Sequence, residues 1–356
     1  MTRPSLRLLR AILPRLLLSI ALALLFVWIV RQGGLPLIPP RSSFDALAWW
    51  ALPIYFVTLV LTHLFRATRF RFLIRPVKQL PLRDVIALNW VGFFAIFAFP
   101  LRLGEMARPM LTKLRHGISA SAGLGTVAVE RVFDGLLTSF CVAYGLFVLP
   151  TRPPETAVER ALPGYGLLAL LVFGGAFLAV FFFLWQRERA TRLTQAVLGL
   201  VSPKLAAFVA SKVDAVAEGL RSVQSARLLS LFTLETLAYW GVNALGMWLL
   251  ARGCGLPLSL GQVVGVMGIM AIGILLPAGP GLFGAFQLSA ALGLSLYLPQ
   301  ELVQHEGALF IFLLYAVQAS FITVAGLVPL YAMDLELSSL VGPAAQKATS
   351  GSADVL

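Results

Sequence analysis

Six blocks of mainly apolar residues dominate this chain, at about 12–31, 46–65, 119–149, 163–185, 229–251 and 307–332. A helix needs roughly 20 apolar residues to cross the ~30 Å hydrocarbon core of a bilayer, and each block meets that length. Of the 356 residues, 59% are hydrophobic and 12% charged, against about 45–50% and about 25% in an ordinary soluble domain. One globular core cannot absorb such a surplus. A disordered chain, a nucleic-acid-binding domain and a disulfide-stapled secreted domain are therefore excluded, and an all-α polytopic membrane protein is expected. Arg3, Arg7, Arg10 and Arg15 ahead of the first block resemble the start of a signal peptide. Arg31-Gln32-Gly33-Gly34 follows in place of a small-residue cleavage site, so a retained first span is expected.

Two more apolar stretches, about 84–100 and 261–298, are each interrupted by a cluster of prolines and glycines: Pro100-Leu-Arg-Leu-Gly104 and Pro277-Ala-Gly-Pro-Gly281. Irregular backbone at membrane depth is tolerated only where protein or a water-filled cavity covers it, so both are expected to be re-entrant helical hairpins. They also repeat. Leu80-Pro81-Leu82 precedes Pro100 by 18 residues, and Leu256-Pro257-Leu258 precedes Pro277 by 19. Each half then reads as span, span, hairpin, span. Three crossings per half make the halves run in opposite directions, as inverted repeats of about 10–150 and 160–335 within a domain of 10–335. Broken segments at matching positions of two halves point to the central site of a transporter.

Charge orients this scheme. The sequence has 28 Lys and Arg against 16 Asp and Glu, a net charge of +12. Residues 1–15, 66–83, 101–117, 186–228 and the tail hold 22 of the 28 cations on one side, and the opposite loops hold Arg31, Arg41, Arg152, Arg160 and Arg252. The positive-inside rule puts both termini in the cytoplasm, and a bacterial inner membrane is the expected location. Leu205, Val209, Val213, Val216, Leu220 and Val223 form a helical stripe within an amphipathic segment, 186–227. That segment lies either in the head-group plane or along the protein's own underside. The tail, 336–356, is expected to be disordered.

Ionisable residues at membrane depth are costly and usually face a cavity or a partner. The third span carries Glu130, Arg131 and Asp134, with Glu130 and Asp134 four apart on one helix face that Thr126 and Thr138 continue. Arg131 and Asp134, three apart, are placed to neutralise one another. Just before this span stand Arg102, Glu105 and Arg108; Asn89 lies on the first hairpin and Glu235 in the fifth span. The functional reading is a cavity in which Arg102 and Arg108 hold an anionic head group, because a guanidinium forks onto phosphate. Glu105, Glu130 or Asp134 would then meet a cationic group or carry a proton. The alternative is a set of buried salt bridges, such as Glu105 with Arg131, that hold the hairpin in place.

Other motifs carry no chemistry. Gly279-Pro-Gly281-Leu-Phe-Gly284 matches the dinucleotide fingerprint letter for letter, yet its flanks are membrane helices and not a βαβ unit. No Walker A, H-E-x-x-H or G-x-S-x-G sequence occurs, and Cys141, Cys254, His63, His116 and His305 are scattered. No catalytic residue, metal or cofactor is expected.

At Asn89, Pro100-x-Arg-x-Gly-Glu-x-x-Arg108, Glu130-Arg131-x-x-Asp134 and Pro277-x-x-Pro280-Gly281-x-x-Gly284, the chain resembles the transmembrane region of bacterial lysylphosphatidylglycerol synthases and related stand-alone flippase-like proteins. The resemblance extends over about 10–335. It implies a lipid-translocating membrane domain with re-entrant helices, for aminoacylated phosphatidylglycerol in bifunctional members and polyprenyl-linked sugars or hopanoids in others. Two departures matter. About 20 residues remain after Leu335, so the soluble aminoacyl-transferase domain is expected to be absent. Gln287 stands where relatives often have Glu.

The expectation is therefore a translocase for a polar-headed lipid, anionic or zwitterionic, with a lipid-modifying enzyme as a candidate partner and no nucleic acid. Asn89, Arg102, Glu105, Arg108, Glu130, Arg131 and Asp134 would line the head-group cavity, and Pro277, Pro280, Gly281, Gly284 and Gln287 would form the opposite gate. A transferase acting on a lipid-linked substrate, with Glu130 or Asp134 as base, and a non-transporting partner of a lipid-synthesis enzyme stand as alternatives.

Overall fold

A computed structural model describes residues 4–32, 34–99, 104–154, 156–185, 225–275 and 279–333. These residues form helices and no strand. Helix α1 (Pro4–Gln32) covers the first apolar block, and α2 (Ala51–Thr68) continues almost directly into α3 (Phe70–Ile74). The first broken stretch gives α4 (Leu82–Ala98) and α5 (Ala107–His116). Helix α6 (Ala120–Ala143) ends in a π-helical turn, Tyr144–Val148, and α7 is Ala157–Trp185. In the second half, α8 is Ala226–Gly253, the second broken stretch gives α9 (Leu260–Gly273) and α10 (Ala285–Ser295), and α11 (Gln300–Gln304) leads into α12 (Glu306–Ala332).

Five segments are long and apolar enough to cross a membrane: Ala51–Ile74, Ala120–Val148, Ala157–Gly175, Ala226–Gly253 and Gln300–Ala332. The sixth expected crossing, α1, is a helix of 29 residues whose apolar stretch is Leu17–Ile29. Its face carries exposed Leu17, Leu18, Leu24, Leu25 and Trp28, and α7 exposes Leu167, Leu168, Leu171 and Leu178. Apolar surface of that extent is a liability in water and is what a bilayer covers.

The broken stretches fold back on themselves. Their limbs have 17 and 10 residues in the first and 14 and 11 in the second, about 15–26 Å at the helical rise, so no limb reaches across the hydrocarbon core. In the first hairpin His116 at the end of α5 lies 3.5 Å from Asp84 at the start of α4, and Gly104 near the turn packs on the Ala95 backbone. In the second, Gly273 packs on Ser289 and Gly293 on Val266, so the limbs are antiparallel. The second hairpin opens with a capping box, in which Ser259 Oγ accepts from the Gln262 N–H and Gln262 Oε1 accepts from the Ser259 N–H.

The loops sort to two ends of the bundle. Ala48 N–H donates to the Gly253 carbonyl and Arg152 N–H to that of Leu296, which gathers one set of connections. Lys78 binds the His116 carbonyl, and Arg71 pairs with Glu235 near the start of α8, which gathers the others. Among the described residues, Arg75, Lys78, Arg83, Lys113 and Arg115 lie towards the second of these ends, and Arg41, Arg152 and Arg252 towards the first. Arg66, Arg69 and Arg108 are exceptions: all three sit in the bundle and not in its loops.

Contacts between the halves come in pairs. Helix α2 runs antiparallel to α8, with Ala51 against Gly253, Thr58 against Gly246 and Thr68 bonded to Glu235. Helix α6 packs on α9, with Cys141 against Gly268, while α12 packs on α4, with Gly326 against Phe94. Likewise α5 lies on α6 and α10 on α12. The pairing fails at the outermost helices, because α7 packs on α6 whereas α1 packs on α10. The amphipathic segment expected over 186–227 lies outside the described residues up to 224, as does the tail, 336–356.

Candidate functional site: buried charges where the hairpins meet

Helix α6 presents its acidic face inwards, and each carboxylate takes a different arginine. Arg108, on α5, donates from both terminal nitrogens to Glu130, at 3.0 and 2.7 Å, and its Nη1 also donates to Asn89 Oδ1 at 2.6 Å. Asn89 is held in turn, because its Nδ2 donates to the Val85 carbonyl one helical turn earlier at 2.8 Å. The Phe70 ring lies 4.7 Å beneath the Arg108 guanidinium. All three polar residues are buried. One turn further along α6, Asp134 receives two bonds of 2.7 Å from Arg69 and a third from the Tyr239 hydroxyl. Arg69 is 1% exposed, also donates to Thr236 at 3.1 Å, and lies between the rings of Tyr239 and Phe232.

These are forked pairs, the geometry in which a guanidinium repays most of its lost hydration. The expected neutralisation of Asp134 by Arg131 does not occur. Arg69, coming from the end of α2, already holds both oxygens of that carboxylate. Glu235 is also occupied, by Arg71 at 2.6 Å and the Thr68 hydroxyl at 2.7 Å.

Arg131 instead faces a small cavity that Asn89, Glu105 and Arg108 also line, between the first hairpin and α6. It forms no ion pair among the described residues, and its Nε is buried without a hydrogen-bond partner. The structure thus brings together Asn89, Glu105, Arg108, Glu130 and Arg131, with Asp134 one turn away. Arg102 and Pro277 lie outside the described residues.

The second hairpin's turn is built from backbone conformation. Pro280 opens a 3-10 turn, Pro280–Leu282, and Gly281 within it has φ +74°, a left-handed value that favours glycine. Its carbonyl accepts from the Tyr315 hydroxyl at 3.0 Å. Gly284 has φ +86° and lies against Phe26 of α1, and its N–H donates to Gln287 Oε1 at 2.7 Å. Gln287 is 4% exposed, so its amide caps α10 from inside the protein. Phe97, near the tip of the first hairpin, is a close neighbour of Gly281. Next to their tips the two hairpins therefore come into contact.

Arg69, Tyr239 and Thr236 were not singled out by sequence reasoning. The signal was present: Arg66 and Arg69, three apart, prolong one face of α2 beyond its apolar block.

The sequence model of one family, lysylphosphatidylglycerol synthase TM region, matches residues 16–330, nearly the whole chain. No curated protein and no solved structure gives a significant match.

Proposed function

The chain belongs to the lysylphosphatidylglycerol synthase TM region family, whose name ties it to membrane lipids, and we propose that it translocates a polar-headed lipid between leaflets. The meeting of two short helical hairpins beside buried, forked charge pairs carries this reading. In it the hairpins are re-entrant from opposite sides, and the antiparallel seam of α2 and α8 is the junction of inverted repeats. The head group crosses at their meeting point while the acyl chains stay in lipid. The first hairpin, with Asn89, Arg102, Glu105 and Arg108, forms one wall with Glu130, Arg131 and Asp134 of α6. The second hairpin, Pro277 to Gln287, forms the opposite gate. The cation-rich end faces the cytoplasm of a bacterial inner membrane, by the positive-inside rule.

Leaflet exchange in proteoliposomes tests this reading, with labelled lipids bearing anionic, zwitterionic and aminoacylated heads. Head-group-dependent exchange is expected for the native chain, and its loss in an Arg102→Ala, Glu130→Gln double variant. No exchange of any lipid by folded protein would overturn the proposal, and a new lipid product would replace it with a transferase. Exchange surviving in the folded double variant would leave translocation standing and sink the site assignment.

A further inference from the structure

Between the hairpins and the α2–α8 seam lie two small adjoining cavities of about 70 and 120 Å³. Arg66, Ile274, Phe286 and Gln318 line both. No carboxylate lines either one. Arg66 stands on the last turn of α2, one turn before Arg69, yet its situation is the reverse. Arg69 and Arg108 are consumed by carboxylates, whereas Arg66 forms no ion pair and no hydrogen bond among the described residues. Its guanidinium lies 4.4 Å from the centre of the Phe93 ring. Stacking on a ring face leaves the in-plane N–H fork available.

The surroundings have hydrogen-bonding capacity to spare. Asn243 directs one amide N–H at Met267 Sδ, 3.2 Å away, a weak acceptor. Gln318 forms no hydrogen bond among the described residues. The remaining walls include Met247, Met267 and Met270, flexible side chains that adapt to ligands of varied shape. The carboxylate that acts on Arg66 through space, Asp134, is already paired with Arg69, and the cavity's own lining supplies no negative charge.

We propose that Arg66 is the receptor for the phosphate of an anionic lipid head group, with Asn243 and Gln318 binding the head's polar substituents. The site rests on the translocase reading for its purpose, but occupancy is separable from movement. The test is lipid binding to the delipidated, detergent-solubilised full chain by native mass spectrometry, with phosphatidylglycerol and diacylglycerol of the same acyl chains, and with inorganic phosphate as competitor.

Arg66→Gln is expected to weaken phosphatidylglycerol binding at least ten-fold and Gln318→Leu a few-fold, with diacylglycerol unaffected. Arg66→Lys, which keeps the charge but not the fork, should fall between. Unchanged phosphatidylglycerol binding in variants that retain the native melting temperature would overturn the assignment. So would complete displacement by inorganic phosphate at the lipid's own concentration, which would make this a free-phosphate site. Arg66-dependent binding without leaflet exchange would uphold the site and sink translocation. Exchange that persists in folded Arg66→Gln would do the opposite.

Discussion

Arg69 and Asp134, 65 residues apart in the sequence, are joined by two hydrogen bonds of 2.7 Å at the junction of α2, α6 and α8. The carboxylate also takes the Tyr239 hydroxyl, and the guanidinium also takes Thr236, so three helices share one pair. Removing one partner strands the other's charge in a buried setting, which costs about 3–5 kcal/mol. Asp134→Ala and Arg69→Ala should each destabilise the fold by that order. The double change Arg69→Met, Asp134→Leu should cost less than either, because no charge is left behind. Chemical unfolding in detergent measures this; additive losses would show that the pair is not a coupled unit.

Tyr297 donates from its hydroxyl to the Gly145 carbonyl at 2.9 Å, tying the second hairpin's exit to the π-helical turn after α6. Tyr297→Phe should cost about 1 kcal/mol, read as a lowered unfolding midpoint. An unchanged midpoint would show that this tie contributes nothing.

The turn after Gly279 depends on glycine for two separate reasons. Gly284 combines a left-handed φ with a close approach to Phe26 of α1, so Gly284→Ala adds both strain and a collision. A loss of roughly 1–3 kcal/mol is expected. Gly174 on α7 has open space around it, so Gly174→Ala should be neutral or slightly stabilising, as alanine favours helix. Equal effects at the two positions would show that the hairpin does not rest on α1.

Native cysteines should be silent in labelling experiments. Cys141 and Cys254 are buried, and burial pushes the Cys254 thiol up to about 12, so almost no reactive thiolate exists at neutral pH. Ser42 and Gln79 are exposed at opposite ends of the bundle. A membrane-impermeant maleimide added outside intact cells should therefore label Ser42→Cys and spare Gln79→Cys. The reverse pattern would invert the orientation.

Spans and breaks were legible because hydropathy and Pro/Gly clusters are local properties. The hairpins followed from the same signal: Pro100 and Pro277 interrupt stretches too short to cross in both directions. Partner choice was not legible, because it depends on the register between helices. Arg69 follows its apolar block by four residues and so reads as a loop cation, yet α2 and α3 carry the helical path on to Ile74 and bring it against α6. Glu130 and Asp134 were correctly placed on one face; that Arg108 and Arg69 would answer them is a property of three packed helices. Gln287 reads as a lost carboxylate in sequence, whereas in space its amide oxygen caps Gly284 without needing charge.

The second hairpin, from Leu260 to Ser295, contains no Asp, Glu, Lys or Arg, while the forked pairs join α6 to the first hairpin and to the end of α2. Packing between the halves is therefore reciprocal, but the electrostatic potential is not. On the side of α2 and α6 an anion meets Arg66 and Arg131, which form no ion pair among the described residues; on the side of α9 and α10 it meets only dipoles and apolar walls. If a lipid head group crosses here, as the translocase proposal requires, its barrier would be steeper from one face than from the other.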